Sequence, residues 1–149
     1  MTTKSSRIQL ITKDVCHAIN VPRHVLRRWV LNLSPFSEAD TRARSARRFD
    51  AGDLLFFAMM HQMETEYGLH LDVLQRISKG IMSFLKGPRA MVRFVFLDLE
   101  SGQVEPLGDR MSPRAGLVVD LDPAYRLVAR YLGWPGDSRQ LPLGLIGLG

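Results

Sequence analysis

The sequence has little cysteine and no long apolar run. Its one cysteine, Cys16, excludes an intramolecular disulfide and any zinc site built from several cysteines. No apolar stretch approaches the roughly 20 residues that a membrane-spanning helix needs. The opening residues MTTKSSRIQL lack the apolar core and cleavage site of a signal peptide. We therefore expect a cytoplasmic protein that does not use a membrane as its partner.

Acidic residues are scarce in the first third of the chain. Residues 1–48 hold ten Lys or Arg and three Asp or Glu, a net +7. Residues 49–89 hold four against five and residues 90–149 six against seven, so each of these segments carries −1 of the total of +5. A concentrated positive field attracts polyanions, so we expect nucleic acid as the partner, ahead of an anionic membrane surface.

Patterns for catalysis are also missing. There is no phosphate-binding loop, hydrolase elbow or dinucleotide fingerprint. Cys16 and His17 are neighbours on a predicted helix and point about 100° apart, so they cannot act as nucleophile and base. The acidic residues Asp98, Glu100, Asp120 and Asp122 are the best candidates for paired carboxylates or magnesium ligands. The structural explanation is stronger, because Glu100 ends a predicted hairpin and Asp122 is a predicted helix cap. We expect no enzyme, no cofactor and no metal.

Apolar periodicity predicts four helices in the first half of the chain, over about 12–19, 22–31, 51–67 and 71–85. Thr12 and Asp50 are the predicted N-caps, Gly68 ends the third helix, and Lys86-Gly87-Pro88 stops the fourth. The third helix is apolar on most sides, which indicates a buried position. Residues 31–48 lack a helical period and are predicted to be a basic loop or hairpin.

The later part of the chain changes to short strands. The sequence predicts strands at 92–99, 103–107 and 116–121, with a hairpin turn at Glu100-Ser101-Gly102. Asp122-Pro123 then predicts the start of a helix that runs to Gly133. The expected fold class is α+β, with a mainly α DNA-binding domain over 8–86 and a small β-β-β-α domain over 90–134 for dimerisation or partner binding. Residues 135–149 are expected to be a tail.

The segment PRHVLRRWV, residues 22–30, is a basic amphipathic helix. At about 100° per residue, one face collects Arg23, His24, Arg27 and Arg28, and the opposite face collects Val25, Leu26 and Trp29. Solvated helix faces usually mix charges of both signs, because like charges repel along a helix. A face with one sign favours an anionic partner over simple solvation. A short helix, a tight turn and a basic second helix together predict a helix-turn-helix.

Three stretches resemble the MerR-type winged helix-turn-helix family. ITKDVCHAINVPRHVLRRW is similar to the family's opening pattern I-x-E-V-A-x-x-x-G-V-x-x-x-T-L-R-x-W/Y, and ARRFDAGDL is similar to G-Y-R-R-Y-S-x-x-D-L. YGLHLDVLQRI matches the habitual L-G-F-S-L-E-E-I. The three motifs occur in the family's order and cover about residues 8–85. The chain departs from the pattern at Asn20, which replaces the turn glycine, in a longer wing, and in lacking the long dimerising helix.

The resemblance implies roles for the basic residues. Arg23, His24, Arg27 and Arg28 would lie on a recognition helix in the major groove. Residues 31–48 would form a wing whose Arg47 and Arg48 contact the phosphate backbone, with further contacts from Lys13, Arg42 and Arg44. Phosphate contacts supply salt-dependent affinity, and contacts to base edges supply sequence choice.

The expected function is that of a sequence-specific transcriptional regulator of bacterial or bacteriophage origin, associated with the nucleoid. It would bind double-stranded DNA as a homodimer on a two-fold operator. One alternative is an excisionase-like protein that bends DNA. Others are a regulator that binds a small molecule, and a module whose basic face binds an acidic protein. The sequence assigns a dimer or ligand surface to Tyr125, Tyr131 and Trp134 and identifies no effector.

Overall fold

A computed structural model describes residues 9–38, 47–87, 92–108 and 114–133. The four helices predicted for the first half are present within two residues of their predicted bounds. They are α1 (Thr12–Ile19), α2 (Arg23–Asn32), α3 (Ala51–Thr65) and α4 (Leu71–Lys86). A short 3-10 helix at Phe36–Glu38 follows α2. No helix in the described ranges is both long and apolar enough to cross a membrane.

Carboxylates fix the starts of the first and third helices. The Asp50 side chain accepts a hydrogen bond from the Asp53 backbone N–H at 2.8 Å. The Asp53 side chain in turn accepts one from the Asp50 backbone N–H at 2.9 Å. Asp50 is therefore the N-cap that the sequence predicts, in a reciprocal capping arrangement. The prediction for Thr12 was wrong by one residue. The cap position is Ile11, and the Asp14 carboxylate accepts its backbone N–H at 2.9 Å.

Helix α3 is the centre of the core, as its apolar sequence predicts. All of its residues from Leu54 to Met60 are buried. Phe36 and Phe49 pack on Phe57 with ring centroids 4.8 and 5.5 Å away. The helix ends at Thr65, before the predicted Gly68, which lies in the following turn with a φ of +67°. The Met and Phe residues of α3 thus serve packing rather than a ligand pocket.

Three antiparallel strands follow, as predicted. They are β1 (Phe94–Asp98), β2 (Val104–Pro106) and β3 (Gly116–Asp120), in the order β2-β1-β3. The Asp98 carboxylate closes the hairpin turn by accepting the backbone N–H groups of Glu100 and Ser101 at 2.9 and 3.0 Å. The side chains of Val95, Leu97 and Val119 lie on the inner side of the sheet and are buried.

Helix α5 (Asp122–Leu132) follows β3 and packs against α3 and α1. Asp122 is the first helical residue and the cap position is Leu121, so the predicted cap was one residue late. The carboxylate that serves the start of α5 is that of Asp120, which accepts the Asp122 N–H at 3.0 Å. This hydrogen bond joins β3 directly to α5.

The two predicted segments share one hydrophobic core. Gln62 of α3 donates from Nε2 to the Asp120 carbonyl at 3.0 Å. Arg76 of α4 donates to the Leu99 carbonyl at 3.2 Å. The predicted boundary after Lys86 separates helical from β-rich chain, and apolar packing continues across it. The α+β fold class is confirmed.

Glycines allow α4 to lie against the β1–β2 turn. A Cβ atom built on Gly80 would overlap the carbonyl oxygen of Gly102, and one built on Gly102 would overlap the carbonyl oxygen of Arg76. Gly102 also has a φ of +78°, a backbone conformation that is unfavourable for residues with a Cβ atom. The helix and the turn therefore meet backbone to backbone.

We expect Gly80→Ala to destabilise the protein by about 1–3 kcal/mol, because the helix and the turn must separate. In an exposed helix the same change stabilises by about 1 kcal/mol, so the contact predicts the opposite sign. Urea unfolding of the two proteins measures the difference. Gly108→Ala is the matched control, since a Cβ atom there meets nothing within 4 Å. A stabilised Gly80→Ala protein would contradict the close packing.

We expect the ionised Asp120 carboxylate to stabilise the fold, so that the free energy of unfolding depends on acidic pH. The hydrogen bond from Arg93 holds the pKa of the Asp120 carboxyl below its usual value against partial burial, and the Asp122 N–H adds to this effect. A pKa lowered by folding adds stability above the unfolded pKa, and this stability disappears as the pH falls through the folded pKa.

Asp120→Asn removes this titrating group. The free energy of unfolding should then fall less steeply than in the parent as the pH drops below the ordinary aspartate pKa of about 4. Urea unfolding at several pH values measures the slope. Glu100→Gln, at an exposed turn position, should keep the parent slope. Equal slopes for the parent and Asp120→Asn would show that the Arg93–Asp120 pair does not stabilise the fold.

Candidate nucleic-acid interface

The inner face of α2 is held firmly by the core. Leu26 and Trp29 are 1% and 0% exposed, and the Trp29 ring stacks on Phe57 with centroids 5.9 Å apart. The edge of His61 meets the other side of Trp29 at 6.4 Å. Two apolar residues one turn apart thus fix the rotation of α2 about its axis. This rotation decides which side chains face outward.

The outward side of α2 carries the predicted basic residues. Arg23, His24, Arg27 and Arg28 are all exposed. Of the four, Arg23, His24 and Arg27 make no ion pair with any residue in the described ranges. The sequence prediction of a one-signed exposed face is confirmed for these three. Among the described residues, no carboxylate pairs with the charges of Arg23 and Arg27.

Arg28 differs from its neighbours because it has an internal partner. Its Nη2 atom donates to both carboxylate oxygens of Glu64 in α3, at 3.0 and 2.7 Å. The Arg28 side chain is still 44% exposed. A helical-wheel projection of α2 could not reveal the Arg28–Glu64 ion pair, because Glu64 is 36 residues away in sequence. Arg28 therefore lies at the edge of the basic face, with part of its charge compensated.

The structure adds one residue that the sequence analysis left out of this face. Leu31 is 63% exposed and is the most exposed large apolar residue of the described chain. It follows Arg27 by one helical turn, so it lies on the same side of α2. The helical wheel, carried one residue beyond Val30, would have found it.

The turn between α1 and α2 depends on Asn20. This residue has a φ of +58° and a ψ of +53°, the left-handed conformation. Asparagine tolerates this conformation better than most residues other than glycine. The Val21 N–H bonds back to the Cys16 carbonyl at 3.1 Å. Asn20 thus fills the position where the resembling family has glycine, and the turn keeps its geometry.

A short antiparallel pairing anchors the end of the predicted wing. Leu10 and Phe49 exchange backbone hydrogen bonds of 2.7 and 2.8 Å, and both side chains are buried. Just before this anchor, Arg48 is exposed and Arg47 is half-buried. The partial burial of Arg47 agrees with an aliphatic stem that covers apolar neighbours. Arg42 and Arg44 lie outside the described residues, and Lys13 is exposed on α1.

The predicted aromatic surface near the C-terminal end was partly wrong. Tyr125 is 0% exposed, and its hydroxyl donates to the Val92 carbonyl at 3.3 Å. It therefore belongs to the core, because its position on α5 faces the sheet and α3. Tyr131 is half-buried and meets the His17 ring of α1 at 6.1 Å. Trp134 lies outside the described residues.

The acidic residues that were weighed for catalysis have structural partners. Asp98 closes a turn and pairs with Arg114, and Asp120 pairs with Arg93 at 2.9 Å. Asp122 pairs with Arg126 at 2.7 Å. In the described ranges no group of three or more His, Cys, Asp or Glu residues is arranged to hold a metal ion. The basic face of α2 is thus the arrangement with the clearest chemical use, which is binding anions.

Comparison of the chain with models of known protein families, with curated proteins and with solved structures gives no match in any of the three. The similarity to MerR-type motifs therefore stays a prediction that rests on the residues themselves. The exposed residues of α2 and the anchored end at Arg47 and Arg48 are the observations from which function must be argued.

Proposed function

We propose that the protein is a sequence-specific DNA-binding regulator, of bacterial or bacteriophage origin, that inserts α2 into the major groove. The observation that carries the proposal is the exposed face of Arg23, His24 and Arg27. These three residues have no ion-pair partner in the described ranges. A cationic face with no internal compensation is suited to an external polyanion.

The dimensions and chemistry of α2 support duplex DNA as that polyanion. The major groove is about 12 Å wide and admits one α-helix. Arginine donates two parallel hydrogen bonds to guanine or to a phosphate, which a point charge cannot do. Because Trp29 and Leu26 prevent α2 from rotating, the arginines would approach the base edges in a fixed register.

The residues before Phe49 supply a second contact. Arg48 is exposed beside the Leu10–Phe49 pairing, which ties this segment to the start of α1. Arg47 and Arg48 would bind phosphates on the flank of the site. Such contacts position a protein on DNA without choosing sequence. The same reasoning applies to Lys13 on α1.

We further propose that the protein acts as a homodimer on a roughly two-fold operator. A single recognition helix buries too little surface for tight specific binding. Joining two half-sites makes the second contact intramolecular and multiplies affinity. A dimer would not need the long helix that the resembling family uses.

We expect Arg27→Ala to weaken binding to a selected cognate duplex by about 1–3 kcal/mol and to relax sequence preference at one base pair. Arg48→Ala should weaken binding to all duplexes similarly and lower the salt slope by about 1. The cognate duplex comes from selection in a random pool, and fluorescence anisotropy at several salt concentrations measures affinity.

Lys79→Ala is the control, because it removes an exposed cation from α4, outside the proposed contact surface. It should bind like the parent. If Arg27→Ala and Arg48→Ala also bound like the parent, α2 would not be the DNA-contacting helix. If the selection yielded strong binding without any preferred sequence, an architectural DNA-bending role would replace that of a specific regulator.

Glu64→Gln provides a test in the opposite direction. Removing the Glu64 charge should free the Arg28 guanidinium, increase affinity for DNA and steepen the salt dependence by up to about one unit. Stability should change by less than about 1 kcal/mol, because the pair is partly exposed. Asp72→Asn removes an exposed carboxylate from α4 and serves as the control. An unchanged affinity in Glu64→Gln would place Arg28 outside the interface.

A further inference from the structure

The outer face of the sheet carries most of the exposed apolar surface of the described chain. The described chain has four strongly exposed large apolar residues. One is Leu31 on α2, and the other three belong to this face: Phe94, Leu107 and Val118, at 42%, 46% and 48%. Leu107 extends the β1–β2 register, since its N–H donates to the Phe94 carbonyl at 3.1 Å. With Phe96, which pairs with Val118 across β1 and β3, these residues form what we call the outer sheet face.

Scattered apolar residues on a protein surface need no explanation, but a contiguous patch marks a binding surface. Phe94 and Phe96 alternate on β1, the middle strand, Val118 lies on β3, and Leu107 follows the last residue of β2. The apolar patch therefore crosses the sheet diagonally, with Asp120 beside Phe94 and Glu105 beside Phe96. In the described ranges, no helix covers this side, because α3, α4 and α5 contact the sheet through its buried side or its hairpin.

The Phe96 ring lies close against the backbone of the neighbouring strand β3. A Cβ atom built on Gly116 would overlap the ring of Phe96, so the ring lies across the backbone of β3 instead of standing upright. The guanidinium of Arg114 lies over this ring at 4.9 Å from its centroid. Arg93 lies in the same way over Phe94 at 5.0 Å. An apolar sheet face with rings that lie close to the backbone suits packing against another sheet.

The charges around the face select the partner. One end carries Arg93 paired with Asp120. The other end carries Arg114, which pairs with Asp98 and with Glu105. Three carboxylates against two guanidinium groups give the face a slightly negative balance, which opposes a nucleic acid or an anionic membrane.

A second copy of the same face meets this electrostatic requirement. In a two-fold interface a surface patch packs on itself, so it must not repel itself. The Arg93 end is neutral and the Arg114 end carries a net −1. A two-fold arrangement that places the Arg114 end of one copy on the Arg93 end of the other therefore brings no like net charges together. A face with charges of one sign would not allow this.

We propose that the outer sheet face is a homodimer interface, in which two copies pack sheet on sheet around Phe94, Phe96, Leu107 and Val118. A three-stranded sheet offers less area than the roughly 800 Å² per partner of a standard interface. The dimer should therefore be weak in free solution. The proposal rests on the sheet alone; that the dimer joins two α2 helices on DNA rests on the proposed function.

Sedimentation equilibrium of the full chain without DNA tests the interface, over about 5 to 500 µM to include weak association. We expect the parent to change from monomer to dimer within this range. Val118→Lys and Leu107→Lys each place an unpaired ammonium group in the interface and should raise the dissociation constant at least about tenfold. Ser83→Lys, on the exposed surface of α4, should associate like the parent.

Circular dichroism and an amide NMR spectrum check that each variant keeps the fold. Because the two variants lie at different positions of the face, the test remains valid if one of them fails to fold. A parent that stays monomeric at the highest concentration overturns the proposal. So does a dimer that both folded lysine variants leave intact, since a different surface would then join the copies. Arg27→Ala should not change the association, so a failure of DNA binding and a failure of this interface are distinguishable.

Discussion

The burial of α3 is the constraint on which the rest of the structure depends. This helix has no solvent-facing stripe from Leu54 to Met60, so every side of it must be covered. The α2 helix covers one side through Trp29, the segment around Phe36 and Phe49 covers another, and α5 covers a third. Each covering element leaves its own polar side outward. The exposed basic face of α2 is thus a consequence of how Trp29 must meet Phe57.

The same constraint joins the helical and the β-rich parts of the chain. Helices α1 and α4 also pack against α3, and α5, which follows the sheet, completes the enclosure. Gln62 marks the junction by binding the end of β3. The sheet then presents one side to the shared core and one side to solvent. Its outer side carries aromatic residues and balanced charges, a composition unlike that of the basic face of α2.

The chain therefore has two surfaces of contrasting chemistry. The α2 face carries cations that no described residue neutralises, apart from the pairing of Arg28 with Glu64. The outer sheet face pairs each of its arginines with carboxylates and leaves Phe94 and Val118 exposed. Cations without described partners suit a polyanion, and an apolar face whose arginines are paired suits a protein. This division of roles is consistent with a regulator that binds DNA with one surface and its own copy with another.

Local patterns in the sequence were sufficient to determine the elements. Periodicity, caps and turn residues predicted five helices and three strands, because these depend on neighbours within a few positions. They also placed Arg23, His24 and Arg27 on one side of α2. Only the tertiary structure decided the pairing of Arg28 with Glu64, the burial of Tyr125 and the meeting of Gly80 with Gly102. Those contacts join residues far apart in the chain, and their geometry follows from packing around α3.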